Sequence, residues 1–134
     1  MPVFLDTNII LRHLLRDDEE KAQRCKAFLS RLERGEIKGR TSDIVIAEVV
    51  FTLERSYKVP KAEISDHLLP IVFLRGLVLP RKRLYVRAFD LYVDKNISFA
   101  DAYNAALMER LKIGEVISYD PHFDRIEGLR RTEP

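Results

Sequence analysis

An apolar run that ends in a carboxylate and turns at once into a helical pattern opens the chain, and few folds accommodate it. Val3-Phe4-Leu5 has the composition of a short buried strand, Asp6 ends it, and after Thr7-Asn8 the residues Ile9, Ile10, Leu11, Leu14 and Leu15 recur at helical spacing. In open parallel sheets ligands gather at the carboxyl ends of strands, so an acid there is well placed for chemistry. Asp, Thr and Asn are also ordinary helix N-caps, and on this stretch alone Asp6 carries either reading.

The same grammar recurs downstream. Leu77-Val78-Leu79 is a second three-residue strand, ended by Pro80; Glu115 to Tyr119 is strand-like, and Arg130-Arg131-Thr132 suits a short edge strand. Helical patterns fill the gaps. One runs from Asp17 to about Arg34 and stops at Gly35, its acidic first turn Asp17-Asp18-Glu19-Glu20 complementing the helix dipole. Another follows the capping signature Thr41-Ser42-Asp43, and its length and cap favour a helix over a buried strand; a turn around Gly35 and Gly39 precedes it. A third starts at Pro60 and is closed by Gly76, with Pro70 expected to kink or split it. A fourth carries Arg81, Lys82, Arg83 and Arg87, and a fifth runs from the N-cap Ser98 to Gly114. Short strands separated by helices predict a three-layer α/β/α fold, with a central, mainly parallel sheet of about four to five short strands.

A chain of 134 residues with 46% hydrophobic content suits a single domain, 1–134. The net charge of +2 gives no general attraction for polyanions, so the basic helix face is the first surface where one would bind. One cysteine, Cys25, excludes an intramolecular disulfide, and neither a signal peptide nor a membrane-spanning run is evident, so a cytoplasmic protein is expected.

Three more acids sit at positions like that of Asp6. Glu48 is the only charge within Ile44 to Leu53, and such a glutamate is costly to bury ionised; it needs an arginine, a proton, a metal or a groove open to water. Asp101 occupies the N3 position of a capping box, one turn from Asn104 and among Ala102, Ala105 and Ala106, which permit close packing; a polar pair there suggests a lined cleft. Asp120 follows the last clear strand in the turn Asp120-Pro121-His122-Phe123-Asp124, with Ser118 pointing to the same side; His122 reads as a surface turn residue. In a parallel sheet the ends of the first and fourth strands can be neighbours, which would bring Asp6 and Asp120 together, and the helices bearing Glu48 and Asp101 could then cover the same edge. Clustered carboxylates repel one another unless a cation intervenes, and oxygen ligands without Cys or His clusters point to Mg2+ or Mn2+. One or two such ions can activate a water and stabilise the leaving oxygen of a phosphodiester.

The stretches FLDTNIILRHLL from Phe4, TSDIVIAEVVFTLER from Thr41, SFADAYNAALM from Ser98 and ISYDPHFDRI from Ile117 resemble, in order and spacing, the PIN domain, and more narrowly the VapC-type toxins of toxin-antitoxin pairs. The resemblance implies a metal-dependent endoribonuclease with catalytic and metal-binding acids at Asp6, Glu48, Asp101 and Asp120, using Mg2+ or Mn2+. It also implies homodimers and a small antitoxin protein as inhibitor, with RNA as substrate. Asn8 and Ser118 would orient ligands or water, and Asp124 lies close enough to Asp120 to compete for the fourth role. Ser118 stands where the family commonly has Thr. The alternatives are a non-catalytic RNA-binding or partner-binding PIN domain, and a phosphatase or DNA nuclease with the same acids. A receiver domain would want a lysine after a late strand, whereas Lys112 precedes the last clear one.

Overall fold

A computed structural model describes residues 2–134 as an α/β protein that divides into two compact units, one ending at Lys82 and the other spanning Arg83–Pro134. In the first unit the order is β1 (Val3–Phe4), α1 (Thr7–Leu15), α2 (Glu19–Glu33), β2 (Gly39–Arg40), α3 (Asp43–Arg55), α4 (Lys61–Val72) and β3 (Leu77–Val78). In the second it is α5 (Leu84–Asp94), α6 (Phe99–Leu111), β4 (Glu115–Ile117), a 3-10 turn (Pro121–Arg125) and β5 (Arg130–Thr132). Every strand pairing is parallel, within two ladders: β1-β2-β3 in the first unit and β4-β5 in the second.

The central strand β2 falls where the sequence suggests only a turn. Gly39 pairs with Val3 on one side and Leu77 on the other, yet Gly39-Arg40 has no apolar pattern to betray it. Glycine is used there for space: a Cβ at Gly39 would lie 3.0 Å from Cδ2 of Leu32 on α2. Gly76 is tighter still, because its Cβ would meet the Leu32 carbonyl oxygen at 2.7 Å. It therefore serves close backbone approach at the entrance to β3, whereas α4 has already ended at Val72. Thr41 ties the ladder across its carboxyl end, its buried hydroxyl donating to the Leu5 carbonyl at 2.9 Å.

Several helix ends follow local chemistry. Asp18 caps α2, accepting from Lys21 N, and Gly35 takes φ +72° just beyond its end. The remaining acids of that run pair with Arg12, Arg16 and Arg24, a surface role that needs no metal. Pro70 does not split α4: it sits in the last turn, where its missing N–H removes one bond near the end of the helix. Gly114 does not cap α6 either, since Lys112 already adopts the left-handed conformation, φ 59°.

Ile10, Leu32, Ile46, Val49, Ile64, Leu68 and Val72 are fully buried in the first unit. In the second, Tyr85, Phe89, Tyr92, Phe99 and Tyr103 form an aromatic cluster, with the Phe89 and Phe99 centroids 4.9 Å apart. Ala102, Ala105 and Ala106 are buried on α6. The basic stretch before and within α5 is largely tied down. Arg81 pairs with Asp43, Lys82 donates to the Leu74 carbonyl, and Arg87 grips both oxygens of Glu109, so three of the four cations are engaged within the protein. Among the described residues, no helix is long and apolar enough to cross a membrane.

A hollow in the first unit is lined by His13, Lys26, Glu33, Asp66, His67 and Phe73, among others. The Nδ1 atom of His13 is buried there without a hydrogen-bond partner among the described residues. Burial, reinforced by Arg16, Lys26 and His67, pushes its imidazole below the usual histidine value. The unfolded chain therefore binds this proton more readily than the folded one. The stability from neutral His13 is full above the unfolded histidine value and declines as pH falls through it toward the lower folded value. Replacing His13→Gln is expected to flatten the fall in thermal midpoint between pH 7.5 and 5.5, measured by circular dichroism; an unchanged slope would exclude His13 as its source.

Candidate active site

Asp6 stands between β1 and α1 at the N-cap position, in extended conformation, but its carboxylate makes no capping bond. Capping is therefore not what its side chain does. It is exposed at the carboxyl end of the strand, on the amino-terminal side of a helix whose dipole favours negative charge. The next residue, Thr7, is buried, and its hydroxyl donates to Oε2 of Glu48 at 3.0 Å. That bond spans 41 residues and fixes a carboxylate of α3 beside the start of α1. Glu48 is exposed, so the cost of burying an ionised glutamate does not arise: Ser42 caps α3 and the helix turns Val45, Ile46, Val49 and Val50 inward, leaving Glu48 on an open face. In the sequence Thr7 reads only as a capping threonine, which hides this bond.

The other two acids lie in the second unit. Ser98 caps α6, its hydroxyl accepting from Asp101 N at 3.1 Å, and Asp101 is half-buried in the first turn. Asp120 begins the 3-10 turn: its Oδ1 accepts from His122 N at 2.9 Å, and its own N–H donates to Ser118 Oγ at 3.0 Å. This turn brings the His122 ring back, with Nδ1 3.3 Å from Asp120 Oδ1. One ligating atom from each of Asp101, Asp120 and His122 lies within 4.8 Å of the others. Burial raises the Asp101 carboxyl above the ordinary aspartate value, and the neighbouring Asp120 raises it further. The His122 backbone N–H holds Asp120 below that value, with the nearby imidazole and Arg131 acting in the same direction. Of the two, Asp101 keeps a proton more readily.

Atoms this close together could hold a metal ion, and the two carboxylates supply the oxygen ligands that Mg2+ takes. The two carboxylates suit Mn2+ equally, whereas the His122 imidazole is a ligand more usual for zinc, copper, iron or nickel. His122, which the sequence suggests is a surface turn residue, joins this group because an aspartate turn folds the second following residue back on the carboxylate. Asp124 does not belong to it; both its oxygens accept from the guanidinium of Arg131. Asn104 is exposed, and so is Asn8 at the start of α1.

The chain belongs to the PIN domain family, whose pattern matches residues 3–129. The matched stretch contains all four acids. Among curated proteins the chain is similar to the VapC ribonuclease of Aquifex aeolicus (strain VF5), 26% identical over 130 residues that cover 97% of this chain and 95% of that protein.

Replacing Thr7→Val keeps the buried volume and removes the donor to Glu48. The expected loss is about 1 kcal/mol in urea unfolding, the usual worth of such a hydrogen bond. A variant as stable as the parent would show that the Thr7–Glu48 bond adds nothing net.

Proposed function

We propose that this protein is a metal-dependent endoribonuclease that hydrolyses RNA phosphodiester bonds and acts as the toxin of a toxin-antitoxin pair. Its partners on this reading are RNA, a small antitoxin protein and a second copy of the chain, and its place is the cytoplasm. The observation that carries the reading is the grouping of Asp101, Asp120 and His122 in a chain that matches the PIN family along nearly its whole length. The similarity to a protein named a ribonuclease supports RNA as the substrate class.

Asp6, Glu48, Asp101 and Asp120 are the acids we assign to Mg2+ or Mn2+. A divalent ion, when bound, supplies Lewis acidity for the phosphodiester and its attacking water. The chain's own groups do the rest. Thr7 orients Glu48, Ser118 fixes the backbone of Asp120, and the Asp120 turn keeps the His122 ring at the acids. Asp101, in the first turn of α6, faces Asp120 within this group. Asn8, at the start of α1, is assigned to orienting water or a ligand.

The test is cleavage of a mixed RNA pool with Mg2+ or Mn2+, with EDTA, and with the Asp6→Asn protein. Cleavage is expected only with the metal, and the substitution is expected to lower it about a hundredfold or more with the circular dichroism spectrum unchanged. A variant that cut at the parent's rate would remove Asp6 from the mechanism. Metal binding and RNA binding without cleavage would favour a non-catalytic RNA-binding domain, and equal turnover of DNA would broaden the substrate.

A further inference from the structure

We infer that Arg131 is a positioning residue for the acid site, a guanidinium clamp that holds the Asp120 turn in the shape its carboxylate needs; the inference rests on the function proposed above. Arg131 lies on β5, paired in register with Val116 of β4, so its backbone is fixed by the ladder. Its Nε and Nη2 atoms donate to the two oxygens of Asp124 at 3.1 and 3.2 Å, a two-pronged bond. Its Nη1 atom donates to the Ser118 carbonyl at 3.1 Å and to Glu133 at 3.1 Å. The side chain is only 17% exposed, against 55% for Asp124. Ser118 and Asp124 flank Asp120 in sequence, so one rigid cation grips the segment on both sides of the acid.

Inside that grip, Asp120 has little freedom left. Its N–H is held by Ser118 Oγ, and one carboxylate oxygen by His122 N. Both bonds depend on the turn keeping its curvature. The clamp also settles what Asp124 does: with both oxygens committed to Arg131 it anchors the turn, leaving Asp120 to face Asp101. Lysine could not substitute, because a single ammonium cannot offer the planar fork that meets Asp124 and the Ser118 carbonyl together.

The experiment is Mn2+ binding by isothermal titration calorimetry on the full chain and on the Arg131→Lys, Asp124→Asn and doubly substituted proteins, with thermal midpoints alongside. Arg131→Lys is expected to weaken Mn2+ about tenfold at temperatures well below its unfolding. Asp124→Asn is expected to do the same, and the double variant to be little worse than either single one, because both break one clamp. RNA cleavage should lose turnover while its KM changes little. A lowered thermal midpoint with Mn2+ affinity intact would reduce Arg131 to a structural role and overturn the inference, leaving the ribonuclease reading untouched. A parent protein that binds no Mn2+ would overturn that reading, and the inference with it. Should Arg131→Lys fail to fold, Asp124→Asn decides the matter: unchanged affinity overturns the clamp, and weakened affinity supports it.

Discussion

The first unit rests on a close approach between α2 and a very short ladder. Two residues per strand supply few hydrogen bonds, so the strands are held in place by what packs on them. Leu32 is central to this. Its side chain is fully buried against Gly39, and its carbonyl accepts from the N–H groups of both Gly35 and Gly76. Gly76 N lies 2.8 Å from that oxygen while Gly76 O accepts from Gly39 N at 2.9 Å, so the end of α2 and the starts of β2 and β3 share one bonded junction. Any side chain at Gly76 would have to displace backbone rather than a flexible neighbour.

In each unit the chain turns polar just past a strand. Immediately past β1 the chain carries Asp6 in extended backbone with no bond to its own helix, and past β4 it carries Asp120 in a tight turn. The two acids are handled differently. Asp6 is left open to solvent, whereas Asp120 accepts from a backbone N–H and sits against Asp101. Burial thus raises one carboxyl of the pair while a backbone donor lowers the other, so their protons come off unequally.

Much of this was legible in the residues. The strand-to-helix passage at Asp6, the capping serines Ser42 and Ser98, the acidic start of α2 and the parallel α/β class all follow from local rules. The hidden parts depend on distant partners. Gly39-Arg40 is a central strand because its neighbours on both sides are strands, a fact its own composition does not carry. Thr7 reads as a cap until Glu48, far along the chain, is seen to accept its hydroxyl. Arg87 reads as part of a basic face until Glu109 is seen beneath it. Asp124 reads like Asp120, an acid of the same turn, until both its oxygens are seen to accept from Arg131.

The pairing of the first ladder also has a temporal side. Val3 meets Gly39, and Gly39 meets Leu77, so each pair closes a loop of about 36 to 38 residues that contains two helices. Helices form in roughly a microsecond, but a contact between residues so far apart must first meet its loop-closure entropy. Loop closure on this scale makes seating β2 between its two neighbours an entropically costly step in forming this unit. Until then Leu5 and Leu77, both nearly inaccessible in the finished structure, stay open to water and to other chains.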